Sequence, residues 1–367
     1  MHLHMPLIDG FDVYRIPCNL GRFIGDNSCS YNQMLLLAIC LKTTDGHRGW
    51  GYTEVMTTGQ FTRTAWWIRP LPELPELTAT FEKEWWPVLN GQNADHTENV
   101  RRTHVTSEVA LDKAVRLALW DLMGQQAGLP LYKLLGGTGR ANGKRSYGSP
   151  LDYPLTDEET TALVQNMLSM GFRTIKVKIG SPDAQRDIDR LTLIKSLAGP
   201  AITLTADANE AWTWQTALER LEQFDRAGIQ LEYLEDPIYR TDLAGIHELA
   251  TRSPIPIIGH DYLSTIDEIT KLVDTGIQGI RTNKDFDYMI DCMTLAHQHN
   301  LPVYIGNSQF EVSIHAAIAF DQVDRIEFAD LGWNTIVTQP VRIVDGIMLA
   351  PEVPGHGFVP KPEFLHA

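Results

Sequence analysis

The 367-residue chain has no run of about 18 consecutive apolar residues, the minimum for a bilayer-spanning helix. Cysteine is scarce too. Its four thiols, Cys18, Cys29, Cys40 and Cys292, form no C-x-x-C pair and are too few for a disulfide framework. Reduced, structural thiols in a cytoplasmic protein are therefore expected. Positive charge is in deficit: 31 Lys and Arg stand against 46 Asp and Glu, a net charge of −15. Nucleic acids and anionic membranes both call for clustered cations, so neither is expected as a partner. The opening Met1-His2-Leu3-His4-Met5-Pro6 lacks the basic-then-apolar order of a signal peptide, and none is expected. The glycine-rich dinucleotide fingerprint, short-period repeats and low-complexity tracts are also missing.

What is present is ordinary globular composition, 43% apolar and 21% charged. Such a length accommodates one large α/β barrel or two ordinary domains. Residues from about 8 to 55 read as strands, with the turn residues Thr44-Asp45-Gly46 after an apolar run at 34–41. Residues from about 60 to 130 read as helices, with Ala110, Ala114, Leu117, Ala118 and Leu122 at helical spacing. Past Tyr147 the pattern changes. Short apolar runs at 174–179, 202–208, 231–234, 255–258, 277–282, 301–305 and 326–329 alternate with amphipathic segments such as 183–197 and 213–227. Repeated strand–helix units predict a parallel sheet. Seven of them suit a (β/α) TIM-like barrel better than an open doubly wound sheet.

Barrel chemistry gathers at the C-terminal ends of the strands. Period-2 alternation puts Ile175, Val177 and Ile179 on one face and Lys176 and Lys178 on the other. With the apolar face on the helices, both lysines enter the barrel, which is costly unless anions or a reaction require them. Crowded ammonium groups lower each other's pKa, as a lysine base needs. A solvated edge-strand face is the alternative. Asp207 and Asn209 share a face at the next strand end, although both residue types also suit a helix N-cap. Asp207, Glu235 and Asp261 close three successive strands, 28 and 26 residues apart, about one βα unit each. Converging carboxylates repel unless a hard cation neutralises them, and oxygen ligands suit Mg²⁺.

Together these residues resemble the enolase superfamily, in its mandelate racemase and muconate lactonizing enzyme branch, over nearly the whole chain. Thr44-Asp45-Gly46-His47-Arg48-Gly49-Trp50-Gly51-Tyr52-Thr53-Glu54 is similar to the family's capping-domain turn. Residues 118–124 and 129–137 are similar to the helix and loop that enter its barrel domain. Lys176-Val177-Lys178, Asp207-Ala208-Asn209-Glu210-Ala211-Trp212 and Glu235-Asp236-Pro237 match family motifs. The resemblance implies an α/β fold: an N-terminal α+β capping domain at 1–140, completed by residues from about 345 to 367, and a modified (β/α) barrel at 141–344. It implies Mg²⁺ on Asp207, Glu235 and Asp261, and a small carboxylate substrate whose α-proton is removed to give a stabilised enediolate. Lys178 matches the base. Lys176 matches its companion, which lowers that base's pKa and touches the carboxylate. Asn209 matches a substrate contact, and Glu327 the eighth-strand acid that hydrogen-bonds the carboxylate. A homo-oligomer is also implied.

Several positions depart from the family pattern. The third ligand position reads Gly259-His260-Asp261; parity with Ile255 and Ile257 favours Asp261 and leaves His260 as an acid, a substrate contact or a structural histidine. Racemase-like members place Asp on the sixth strand and His on the seventh. Here those segments read Arg281-Thr282-Asn283-Lys284 and Gly306-Asn307-Ser308-Gln309-Phe310-Glu311, with Asn307 where the His would be. Lys284 is the candidate acid or base opposite Lys178, although the simplest alignment puts Asn283 there. Glu311 reads as support for the site. Asn283, Asn307, Ser308 and Gln309 suit a polyhydroxylated substrate. The expectation is a sugar-acid lyase, a dehydratase; a cycloisomerase or epimerase comes second and a non-catalytic metal-binding barrel third. Loops at about 17–30, with Asn19, Arg22, Asp26 and Asn27, and at about 52–62 are expected to cover the barrel mouth.

Overall fold

A computed structural model describes residues 6–61, 71–137, 142–282, 285–306 and 310–365. Three long strands, β1 (Ile8–Gly25), β2 (Cys29–Thr43) and β3 (Arg48–Phe61), form an antiparallel meander. The run at 34–41 is apolar throughout because the sheet is covered on both faces. Leu37, Ile39 and Leu41 pack with Leu77, Phe81, Trp85 and Leu111 of the helical layer. Leu36, Ala38 and Cys40 join the core shared with the barrel. The helix Val109–Ala127 lies against β3 where two glycines admit it. A Cβ on Gly51 would stand 1.8 Å from the Ala114 carbonyl oxygen, so no larger residue fits there.

Eight parallel strands close into a barrel: β4 (Gly143–Gly148), β5 (Thr174–Lys178), β6 (Thr203–Asp207), β7 (Leu231–Glu235), β8 (Ile257–Gly259), β9 (Gly279–Thr282), β10 (Val303–Ile305) and β11 (Val323–Phe328), with β11 pairing back to β4. Seven of these were readable as apolar runs. The first, Gly-Lys-Arg-Ser-Tyr-Gly, is too polar to stand out, and its place is set by its neighbours. A hairpin of β12 (Arg342–Val344) and β13 (Ile347–Leu349) adds to its outer edge.

Crossover helices start from side-chain caps. Thr156, Asp183, Thr213, Asp242, Thr265 and Asp285 each accept a backbone N–H of the helix that follows. The helices cover the outward residues Ile175, Val177 and Leu204, while Tyr233, Ile258 and Tyr304 form a small separate core inside the barrel. The chain end returns to the meander and the helix on it: His356 N donates to Asp121 of that helix at 2.7 Å, and the Tyr52 hydroxyl of β3 donates to the Phe358 carbonyl at 2.9 Å. Across the interface, Arg116 Nη1 lies 2.8 Å from Asp285, Arg102 Nη1 lies 3.1 Å from Asp291, and buried Arg101 pairs with Asp287. Among the described residues no helix is long and apolar enough to cross a membrane.

Candidate active site

Alternation in β5 turns Lys176 and Lys178 inward, onto the ends of β6, β7 and β11. Lys176 is 0% exposed. Its Nζ lies 2.9 Å from Glu235 Oε1, 3.1 Å from Glu327 Oε1 and 3.5 Å from Asp207 Oδ2. Lys178 Nζ lies 2.5 Å from Asp207 Oδ2 and donates to Asn209 Oδ1 at 3.1 Å. Parallel register sets Lys178 beside Asp207 and Asp207 beside Glu235, so one layer of the barrel carries all three. Beyond Asp207 the chain turns through positive φ at Asn209 (43°) and Glu210 (62°). That turn lets Asn209 N donate to Asp207 Oδ1 at 2.9 Å, while Asn209 Nδ2 donates to the Tyr262 hydroxyl at 2.9 Å.

The acidic cluster differs from the expected set. Among the described residues, the carboxylates whose oxygens gather within 4.8 Å are Asp207, Glu235 and Asp236. Asp236, at φ 45°, gathers with Asp207 and Glu235, whereas Asp261 is not in that group. The parity argument for Asp261 does not hold, because β8 stops at Gly259 and strand alternation does not extend past it. Asp261 instead faces β9, with its Oδ1 3.3 Å from Arg281 Nε. The same Nε lies 3.1 Å from Glu235 Oε1. Arg281 also donates to the Tyr147 hydroxyl at 3.0 Å and to Glu327 Oε2. Buried Glu235 Oε2, Asp236 Oδ1 and Asp261 Oδ1 accept no hydrogen bond. Burial without a donor is expensive for a carboxylate oxygen, and a hard cation is the partner that suits such a set.

Two expected roles meet a different environment. Burial alone would make Lys178 easier to deprotonate, but Asp207, Asp26, Glu327 and Glu235 outweigh it and hold its pKa well above the ordinary lysine value. The expected lowering by Lys176 is thus overturned in this state, since carboxylates outnumber the ammonium groups. Burial would likewise raise Glu327, but Lys176, Arg281 and Lys178 keep it below the usual carboxylate range. As an ionised acceptor it has no proton to donate to a carboxylate. Asp207 behaves similarly: burial is outweighed by Lys178 and Lys176. Glu235 and Asp236 go the other way. Burial lifts Glu235 to about 8 despite Arg281 and Lys176. Burial, with Asp207 and Asp261 close by, puts Asp236 well above the ordinary value.

His260 is buried at 3% exposure, with Nε2 3.2 Å from the Ile238 carbonyl and 3.4 Å from Glu210, and Nδ1 3.4 Å from Asp236. Burial lowers its pKa. From the meander, Asn27 reaches the mouth, where its Nδ2 donates to the carbonyls of Ile179 (2.8 Å) and Ala208 (2.5 Å). Glu311 is buried, its pKa raised to about 8 by that burial. Asn283, Lys284, Asn307, Ser308 and Gln309 lie outside the described residues. Sequence reasoning missed Arg281, Asp236 and Tyr147. For Arg281 there was a signal: a lone arginine within a barrel strand, on the parity opposite Ile280.

This barrel, with inward lysines facing an acidic cluster at its strand ends, defines a member of a known class. The family model described as enolase C-terminal domain-like matches residues 159–364, and that of the mandelate racemase / muconate lactonizing enzyme N-terminal domain matches residues 27–136. The chain belongs to the mandelate racemase / muconate lactonizing enzyme branch of the enolase superfamily. It is 26% identical, over 359 residues and 95% of each chain, to the 3,6-anhydro-alpha-L-galactonate cycloisomerase of Streptomyces coelicolor. It is 29% identical to the arabinonate dehydratase of Saccharolobus solfataricus over 262 residues, 66% of this chain and 68% of that one. The crystal structure of a Mesorhizobium loti protein described as a candidate mandelate racemase superposes with a TM-score of 0.87 at 30% identity, covering 97% of this chain and 93% of that one.

Proposed function

We propose that this chain removes the proton α to the carboxylate of a sugar acid and then expels the β-oxygen. The observation that carries the reading is Lys178, a lysine at the lip of a buried acidic cluster, 2.5 Å from Asp207. Asp207 and Glu235 would hold Mg²⁺, with the third oxygen from either Asp236, gathered with them, or Asp261, across Arg281. When bound there, Mg²⁺ would anchor the substrate carboxylate and offset the negative charge that develops as the α-proton leaves. With Asp207 shared with such a cation, Lys178 would hold its proton less tightly and could serve as the base. Asn209 keeps that amine aimed, since its Oδ1 takes one hydrogen bond from it and Tyr262 fixes the amide. Lys176 stays charged among Glu235, Glu327 and Asp207 and positions them. From the sequence pattern alone, Lys284 is the candidate to protonate the departing oxygen or return a proton to the α-carbon.

Two outcomes share this path. If the β-oxygen is a hydroxyl, water leaves and the product is a 2-keto-3-deoxy acid; this dehydration is the reading we favour. If it is a ring ether, the ring opens to the same kind of product with no water lost. Similarity to a cycloisomerase along 95% of both chains favours that second reading. Incubation of the Mg²⁺-loaded protein with a panel of aldonic, aldaric and anhydro-sugar acids, followed by mass spectrometry, separates them. Loss of one water supports dehydration, an isomeric keto acid supports ring opening, and a recovered epimer contradicts both. Asp236→Asn and Asp261→Asn then decide the third ligand: the one that weakens Mg²⁺ binding is the ligand.

A further inference from the structure

The interior of the barrel carries a cation that the proposed proton transfer does not use. Arg281 is 2% exposed, and its guanidinium links β7, the segment after β8 and β11 by touching Glu235, Asp261 and Glu327, with Tyr147 of β4 completing its fork. A guanidinium cannot be deprotonated in a protein, and its planar donors suit several carboxylates at once. Lysine differs on both counts, and Lys178 has to give up its proton to act as a base. Arg281 therefore supplies a positive charge that persists through a reaction cycle.

The charges in this connected network can be counted. Asp207, Glu235, Asp236, Asp261 and Glu327 are five carboxylates, and Lys176, Lys178 and Arg281 are three cations. In a metal-loaded state, where the carboxylates are ionised, the difference is two negative charges within this contact network. One divalent ion cancels that. Asp26, which also bears on Lys178, lies outside the network and is held by Ser28 and Cys29. The neighbouring Glu210 and Arg240, 3.3 Å apart, cancel each other, and burial favours neutral His260. Without Arg281 the imbalance would be three, Glu235 and Glu327 would keep only Lys176, and Asp261 would lose its ion-pair partner.

We propose that Arg281 is a built-in counter-cation, a positioning residue that holds Glu235, Asp261 and Glu327 in place and trims the cluster to the charge of a single divalent ion. This rests on the reading that the cluster takes Mg²⁺. The consequence is asymmetric. The metal-free barrel depends on Arg281 to keep its carboxylates together, whereas the loaded barrel depends on it less, because the ion does part of the same work.

The test is thermal unfolding of the full chain in excess chelator and in saturating Mg²⁺, for the wild type, Arg281→Met, Arg281→Lys and the double variant Arg281→Met/Glu327→Gln. A packing residue would lower both melting temperatures equally. The proposal expects Arg281→Met to lose more in chelator than in Mg²⁺, so that its Mg²⁺-induced rise is at least twice that of the wild type. Arg281→Lys, which keeps the charge, should show a rise near the wild-type size. So should the double variant, which removes one acid along with the cation. A rise in Arg281→Met equal to or smaller than the wild type's overturns the proposal. If Arg281→Met does not fold at all, the double variant decides: folding with a wild-type rise supports charge balance, and failure to fold refutes it. A wild type that does not respond to Mg²⁺ removes the metal reading itself, and this proposal with it.

Discussion

Replacing Lys176 by methionine probes the ion cluster most sharply. Its Nζ contacts Glu235, Glu327 and Asp207 at 2.9, 3.1 and 3.5 Å, and all four side chains are buried. Removing one partner of a buried ion pair costs about 3–5 kcal/mol, because the charge left behind is uncompensated. The cost should not triple with three partners. Lys178 still holds Asp207, Arg281 still holds Glu235 and Glu327, and Glu235, with its pKa already near 8, can take up a proton. With an unfolding entropy of about 2.1 cal/mol/K per residue, a 367-residue chain has about 0.8 kcal/mol/K, so the melting temperature should fall by roughly 4–6 °C. Circular dichroism melts in excess chelator measure this. Lys271→Met is the control: its 2.5 Å contact with Asp267 is solvent-exposed, and such pairs add little, so no measurable shift is expected. If Lys176→Met melts within a degree of the wild type, Lys176 is not the centre of a buried ion cluster and the electrostatic account of the site is wrong.

Other predictions follow from the same geometry. Magnesium affinity should rise steeply with pH, at least about tenfold from pH 6 to pH 8, because Glu235, raised to about 8 by burial, must release its proton to bind a metal; calorimetric titration at the two pH values checks this, and flat or falling affinity contradicts it. In chelator, stability should decline as pH rises toward 8. Burial lifts Glu235 and Glu311 to about 8, so the folded state binds protons that the unfolded state has released above the ordinary carboxylate range. His315, lowered by burial to about 3, works in the opposite sense below its ordinary value, so the decline is cleanest from about pH 6.5 to 8. Urea titrations should show it, and Glu311→Gln should reduce the slope. Gly51→Ala should be severely destabilising, since its Cβ would meet the Ala114 carbonyl oxygen at 1.8 Å, whereas Gly91→Ala, with open space around it, carries only backbone strain; comparative melts separate the two.

The parts of the site readable in sequence were those governed by local periodicity. Lys176 and Lys178 were placed by the two-residue repeat of β5, flanked by Ile175 and Val177. Asp207 and Glu235 were placed by the length of one βα unit, which brings successive strand ends side by side. The reading failed where periodicity stopped. β8 ends at Gly259, so its alternation does not determine where Asp261 points. Asp236 was overlooked because its part in the cluster depends on a positive-φ turn after β7. β4 was missed as a strand because it is polar; pairing with β11 and β13 defines it. The Lys178 expectation weighed two lysines against each other without the carboxylates of neighbouring strands, which raise its pKa in the metal-free barrel. Arg281 was in view, but its partners come from strands 46 or fewer residues to either side, and also from β4, 134 residues away.

The account's central claim is that Lys178 removes an α-proton from a carboxylate beside a metal held by Asp207 and Glu235. Proton NMR in D₂O, with Mg²⁺ and the sugar-acid panel, follows that proton directly. The account predicts loss of the α-hydrogen signal with at least one acid, dependent on Mg²⁺ and slowed at least about 100-fold in Lys178→Ala. An α-hydrogen that never exchanges in the wild type, or one that exchanges equally fast in Lys178→Ala, would contradict it.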